Sequence, residues 1–251
     1  MPTVPPANFL PTVVMAMNRE PTKSTGRLTP RDRAILAQVA RHRLTTVAVL
    51  RRTLFPALSQ TAVTKIVGRL CRHRYLCKYT LHHPLRYYVL GETGGKLLGL
   101  GAHRSAALGP QALPLEYAAL LYAMLGKQPR TRLSRGELQT RFPWFPEPWA
   151  EACHCLDEST NILELLRVDY GASADHVARK CGQDIHRRSH SHDFLKLLTA
   201  GRFRLVLITA TPEKGAALRQ ALDRHDWPRG MLLHLSVIPE LLMLQARTTH
   251  A

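Results

Sequence analysis

The sequence predicts an α+β fold in which an N-terminal winged helix-turn-helix is followed by a small α/β domain. Three segments with helical apolar spacing come first, two β-rich runs follow directly, and strands then alternate with helices. Residues 26–110 contain fifteen Lys and Arg residues but only two acids, Asp32 and Glu92, and carry +13 of the chain's +17. Charge concentrated in one region is typical of a protein that binds a polyanion, most often nucleic acid.

The first two helices are predicted from capping signals and apolar spacing. In LTPRDRAILAQVARHR, Thr29 suits the N-cap and Pro30 the first helical position, while Asp32 lies near the positive end of the helix dipole. The second helix lies in LTTVAVLRRTLFPAL, and Pro56 ends it. Its apolar stripe consists of Val47, Leu50 and Leu54.

The third helix has two chemically different faces and is predicted to be a recognition helix. Ser59 can cap it, and one apolar face follows helical spacing: Val63, Ile66, Val67 and Leu70. Side chains near the start of such a helix reach base edges, so we expect base contacts from Gln60, Thr61, Thr64 and Lys65. We expect phosphate contacts from Arg69, Arg72 and Arg74. Gly68, on the polar face, is either a point of close approach to DNA or a tolerated weak position.

A basic β-hairpin is predicted directly after the third helix. RYLCKYTL and LRYYVL are rich in β-branched and aromatic residues, and HHP separates them. In this position the hairpin is interpreted as a wing that contacts flanking phosphates or the minor groove through Lys78, His82, His83 and Arg86. The following GETGGK does not match a phosphate-binding loop, because three residues rather than four separate Gly91 from Gly95 and Leu97 follows the lysine.

Three of these stretches together resemble the winged-helix segment of the replication-relaxation family of mobile-element proteins. They are LTPRDRAILAQVARHRLTTVAVLRRTLFP, RLCRHRYL and YYVLGETGGKLL, and they span about residues 28–100. Gly91 replaces the threonine typical of the family's closing motif, and MarR-like regulators share the layout. The resemblance implies a DNA-binding protein of a bacterial integrative or conjugative element.

The second half of the chain is predicted to form a separate α/β domain. The boundaries are a winged helix at 27–108, a helical linker region at 109–150, and a domain for dimerisation or partner contact at 151–251. NILELLRVDYG, RFRLVLITAT and GMLLHLSVIP are the predicted strands, with helices between them. The family resemblance implies a degenerate restriction-endonuclease-like core, with Asp169 of RVDYGAS at its acidic position.

Two chemical alternatives remain open. A divergent metal-dependent nuclease would use Asp169 and Glu164, although no lysine in the chain has an acid two residues before it, as the usual (D/E)-x-K pair requires. A zinc site would draw on Cys153, Cys155, Cys181 and the histidines of HRRSHSH, but the usual paired spacing is missing. We therefore expect no enzyme activity, no metal and no cofactor.

The remaining expectations concern compartment and partners. Five scattered cysteines and no recognisable signal peptide favour the cytoplasm. Residues 1–26 are predicted to be a flexible leader. No apolar run reaches the roughly 20 residues that a membrane span needs. We expect a transcriptional regulator, with activation favoured, that binds double-stranded DNA. A homodimer and contact with RNA polymerase or another regulator are further expectations. The alternatives are a replication or transfer accessory that binds an origin, and an adaptor that does not bind DNA.

Overall fold

A computed structural model describes residues 28–150 and 152–245, so the predicted leader lies outside the described residues. The N-terminal half contains three helices, α1 (Pro30–His42), α2 (Val47–Thr53) and α3 (Gln60–Arg72). An antiparallel hairpin, β1 (Leu76–His82) and β2 (Leu85–Leu90), and the short helix α4 (Glu92–Leu97) follow. The three predicted helices and the predicted hairpin are therefore confirmed as elements.

Side-chain caps define where the three helices begin. The Thr29 side chain accepts a hydrogen bond from the Asp32 amide, and the Asp32 side chain accepts one from the Thr29 amide, which completes a capping box. Thr46 caps α2 and Ser59 caps α3, each through its side-chain hydroxyl. These local bonds explain why the sequence alone located the starts of α1 and α3, whereas the Thr46 cap of α2 was not predicted.

The second half is organised around a mixed five-stranded sheet. Its strands are β3 (Arg130–Arg132), β4 (His154–Asp157), β5 (Ile162–Val168), β6 (Phe203–Thr209) and β7 (Leu232–Val237). They lie in sequence order; β3, β4 and β5 pair antiparallel, whereas β5, β6 and β7 pair parallel. The three predicted strands are confirmed as β5 to β7. Strands β3 and β4 were not predicted, because both are short and lack a run of β-branched residues.

Helices cover both faces of the sheet. The remaining helices are α5 (Ala112–Leu125), α6 (Arg135–Arg141), α7 (Glu147–Ala150), α8 (Ala174–Arg188), α9 (His192–Thr199), α10 (Pro212–Asp223) and α11 (Leu242–Gln245). Alternate residues of β5 point to opposite cores: Leu163 and Leu165 pack with residues of α8 and α9, and Leu166 packs with residues of α5. In the described part of the chain, no helix combines the length and apolarity needed to cross a membrane.

The segment predicted as a linker region supplies the centre of the molecule. Most residues of α5 are buried, and the helix packs against α2 on one side and β5 on the other. Its buried Glu116 forms ion pairs with Arg43, before α2, and with Arg132 of β3. The predicted boundary at 150/151 falls between β3 and β4 of one sheet. The helical half and the sheet half thus share a continuous apolar core.

Candidate nucleic-acid interface

Helix α3 separates an apolar face from an acid-free polar face. The four residues predicted to form its buried face are all at most 9% exposed: Val63, Ile66, Val67 and Leu70. The predicted base-reading residues are all exposed: Gln60, Thr61, Thr64 and Lys65. Thr64 also donates its hydroxyl hydrogen to the Gln60 carbonyl over 2.9 Å, which leaves the hydroxyl oxygen able to accept.

The polar face of α3 and the hairpin tip share one cleft. A cavity of about 200 Å³ is lined by Gln60 and Thr64 of α3, by residues 84–86 of the hairpin, and by residues 46–48 at the start of α2. The tertiary structure therefore brings two of the four predicted base-reading residues, Gln60 and Thr64, beside Arg86 of the predicted wing. The lining by residues 46–48 was not predicted from the sequence. The one sequence feature that could have indicated it is Thr46, which caps the start of α2.

The hairpin is joined to the helices by a further backbone pairing. Thr45 and Tyr88 exchange two hydrogen bonds, both 2.9 Å, in an antiparallel bridge. The segment between α1 and α2 therefore lies alongside β2 on the side away from β1. The orientation of the hairpin relative to α3 is held by the backbone as well as by side-chain packing.

The predicted hairpin contacts do not all lie on one surface. Lys78 and His83 are exposed, and Arg86 donates a hydrogen bond to the Thr80 hydroxyl. His82, in contrast, lines a separate small cavity with Leu85 and Met243, a residue of α11. The structure therefore places His82 toward the C-terminal segment rather than in the cleft beside α3.

Two of the predicted phosphate contacts are engaged in ion pairs within the protein. Arg69 lies 2.5 Å from Asp32, and Arg74 lies 3.2 Å from Glu92. In the described residues, Lys65, Arg72 and Lys78 have no ion-pair partner, and all three are exposed. Among the predicted DNA contacts on α3 and the hairpin, these three cations are therefore the most available to an external phosphate.

The GETGGK turn is a close-packing device. A Cβ at Gly91 would lie 2.1 Å from the Arg74 carbonyl oxygen, and one at Gly94 would lie 2.3 Å from the Tyr75 carbonyl oxygen. The amides of Gly91 and Thr93 donate to these same carbonyls. They are not available to a phosphate, which agrees with the rejection of the phosphate-loop interpretation. The steric crowding also explains why position 91 is occupied by glycine.

The two carboxylates of the nuclease alternative are buried and have partners within the protein. Glu164 is fully buried and accepts from Tyr122, Arg130 and Arg204, at 3.0, 3.0 and 2.7 Å. Asp169 accepts from the Gly171 amide, and one of its oxygens lies 3.9 Å from the Lys214 ammonium. Lys214 is 45 residues from Asp169 in the chain, so a search for adjacent acid and lysine positions could not find this pair.

The residues considered for zinc are dispersed. Cys155 lies in β4 and Cys153 directly precedes this strand. Both are buried, and burial raises the pKa of both thiols. His186 and His190 are exposed, with ring centroids 5.1 Å apart. Within residues 28–150 and 152–245, no three His, Cys, Asp or Glu side chains are grouped so that they could hold a metal ion.

Comparison with known protein families, with curated proteins and with solved structures finds no match to this chain.

Proposed function

We propose that this protein binds duplex DNA sequence-specifically and regulates transcription, with α3 as the recognition helix of a winged helix and the β1–β2 hairpin as its wing. The observation that carries the proposal is the shared cleft: the exposed, acid-free face of α3 and the tip of a basic hairpin border one cavity. A helix entering the major groove would place the hairpin on the adjoining backbone. The isolated bridge between Thr45 and Tyr88 supports this assignment because it ties the segment between α1 and α2 to the hairpin.

The side chains on α3 divide between the two kinds of DNA contact. Gln60 can bond adenine through two atoms, and Thr61 and Thr64 can bond several bases or contact a thymine methyl group. Lys65 lies in the next turn and favours guanine. Arg72 and Lys78 carry charges that are not balanced within the described protein, and we assign them to phosphates.

The second half of the molecule supports regulation rather than catalysis. Its fully buried Glu164 is neutralised by two arginines, which leaves this carboxylate unable to bind a metal without breaking the network. We assign the sheet domain to contact with a second copy of this chain, with RNA polymerase or with another regulator. We propose that the protein activates transcription. The link to a bacterial mobile element comes from the family resemblance, and a replication or transfer accessory is the second candidate.

Salt-dependent binding to a duplex tests the proposal. Fluorescence anisotropy with a labelled mixed-sequence duplex should show an affinity that falls steeply with salt, with a slope of about −0.9 for each phosphate contacted. The double variant Arg72→Ala/Lys78→Ala should flatten that slope by roughly 2. The matched control is Arg179→Ala/Lys180→Ala, which removes two exposed cations of α8. Salt-independent binding, or equal flattening in both double variants, would contradict the proposal.

The location of binding distinguishes the two candidate functions. Genome-wide footprinting should place the protein at promoters if it is a transcriptional regulator, and at an origin if it is a replication or transfer accessory. A reporter gene fused to a bound promoter then shows whether the protein activates or represses transcription. Increased expression supports activation, and decreased expression identifies a repressor.

A further inference from the structure

A larger cavity lies where the helical half meets the sheet half. Its volume is about 470 Å³, and its lining comes from α2, the end of α5, the loop after α5 and strand β7. This volume falls within the range of sites for small organic ligands. The cavity is separate from the proposed DNA contacts, because none of the predicted base-reading or phosphate residues lines it.

The cavity presents more positive than negative charge. Arg52 of α2 and Lys127 of the loop are exposed, and neither has an ion-pair partner in the described residues. Arg130 also lines the cavity, but buried Glu164 balances its charge over 3.0 Å. Glu240 is the carboxylate in the lining. Two unbalanced cations therefore face one acid, which favours a ligand of low negative charge.

The inner wall of the cavity carries two rings, Tyr122 and His234, and the guanidinium of Arg130. The Arg130 guanidinium lies 4.1 Å from the centroid of the buried Tyr122 ring, and the His234 ring lies 6.3 Å from it. A Cβ at Gly126 would lie 2.6 Å from the Arg130 guanidinium, so glycine leaves room for this stack. Burial, together with Arg204, lowers the pKa of His234, which keeps its ring neutral near pH 7. Planar groups and a neutral imidazole suit a heteroaromatic ring.

We propose that this cavity binds a phosphorylated small molecule of mononucleotide size, with its phosphate between Arg52 and Lys127 and its ring against Tyr122 and His234. Glu240 disfavours ligands with several phosphates, because each additional charge would meet a carboxylate in the same cavity.

The site also joins two parts of the molecule. Arg52 belongs to α2, which packs against both α3 and α5, whereas Lys127 follows α5. A ligand held by both cations would therefore link the helical half to the sheet half. On the proposed function, such a ligand is an effector whose binding changes DNA affinity, and DNA must change the ligand's affinity by the same factor.

Calorimetric titration of the full chain without DNA tests the site, with AMP as the probe and adenosine and inorganic phosphate as comparison ligands. We expect saturable binding of one AMP per chain and at least tenfold weaker binding of adenosine and of phosphate. The variant Arg52→Gln/Lys127→Gln should weaken AMP binding at least tenfold. Arg179→Gln/Lys180→Gln, with the same change in charge on α8, should leave AMP binding unchanged.

Several outcomes would overturn the site. These are an absence of saturable AMP binding, equal weakening by both double variants, or equal affinities for AMP and inorganic phosphate. Urea unfolding of both variants checks that the fold is retained, since all four substituted side chains are exposed. Because the titration contains no DNA, its result is independent of whether the protein binds DNA. A DNA-binding failure with intact AMP binding would overturn only the effector role.

Discussion

The guanidinium of Arg69 on α3 lies 2.5 Å from the carboxylate of Asp32 at the start of α1, and Asp32 is fully buried. Burial alone would raise the pKa of Asp32, but hydrogen bonds from Thr29 and Arg69 outweigh burial and hold the pKa below its ordinary value. The ion pair fastens the proposed recognition helix to the helix that supports it. A residue expected to contact phosphate therefore also serves the fold.

Lys65→Ala and Arg69→Ala should have different effects on DNA binding and on stability. Lys65 is exposed and without an ion-pair partner in the described residues, so its loss should change sequence preference while the free energy of unfolding stays unchanged. Arg69→Ala leaves a buried carboxylate with only its Thr29 bonds, so we expect a loss of about 1–2 kcal/mol in stability. It should also weaken binding to all duplexes and flatten the salt slope. Urea unfolding and binding to a panel of duplexes measure the two effects.

Arg72→Ala is the matched control for Arg69→Ala, because Arg72 is an exposed arginine of the same helix with no ion-pair partner in the described residues. It should weaken binding without changing stability. If Lys65 and Arg69 can both be removed without affecting DNA binding, the assignment of α3 as the recognition helix is wrong.

Two glycine substitutions should have opposite effects on stability. Gly91→Ala forces a Cβ against backbone atoms of Arg74 and Leu76, so we expect a loss of about 2–3 kcal/mol in the free energy of unfolding. Gly68→Ala meets no atom within 4 Å and should raise stability by about 0.5–1 kcal/mol, because alanine is the better helix former. Thermal and urea unfolding of the two variants measure this contrast.

Gly68→Ala also tests how closely DNA approaches α3. If glycine is present for close approach, the more stable variant should bind duplexes less tightly. Unchanged affinity would identify Gly68 as a tolerated weak position. A destabilised Gly68→Ala would contradict the exposed placement of this residue.

Glu164→Gln should destabilise the protein by about 3–5 kcal/mol, because it leaves the buried charge of Arg130 without its carboxylate partner and leaves Arg204 paired with Asp157 alone. A carboxylate kept for metal binding behaves differently, since its neutralisation relieves repulsion in the metal-free protein. Urea unfolding measures the change, with exposed Glu158→Gln as the control. Stabilisation by Glu164→Gln, together with Mg²⁺-dependent cleavage lost in Asp169→Ala, would favour the nuclease alternative.

Asp157 should make stability depend on pH in the acid range. Burial alone would raise its pKa, but hydrogen bonds from Ser159 and Thr160 lower it from 3.8 to about 2. Its contribution is therefore complete above about pH 4 and is lost as the pH falls toward 2. The shift corresponds to roughly 2 kcal/mol. Urea unfolding at several pH values should show a smaller loss between pH 4 and pH 2 in Asp157→Asn than in the unmodified protein.

Local signals predicted the N-terminal half well. Thr29 and Ser59 are capping residues that act within three residues of their partners, and the apolar stripe of α3 needs only helical spacing to be recognised. The short strands β3 and β4 carry no such signal. They are strands because β4 pairs with β5 and β3 pairs with β4, and the second of these pairings joins residues distant in the sequence.

The sequence by itself determined the three helices, the basic hairpin and the polar face that runs from Gln60 to Lys65, because spacing and caps are local properties. Only the tertiary structure decided which cations remain available to an external ligand. Asp32 forms an ion pair with Arg69, and Glu164 forms one with Arg130, across long separations in the chain. It also placed Arg52 and Lys127 on one cavity. Such contacts depend on how whole elements pack, and that arrangement is set by burial of the shared core around α5 rather than by any single segment.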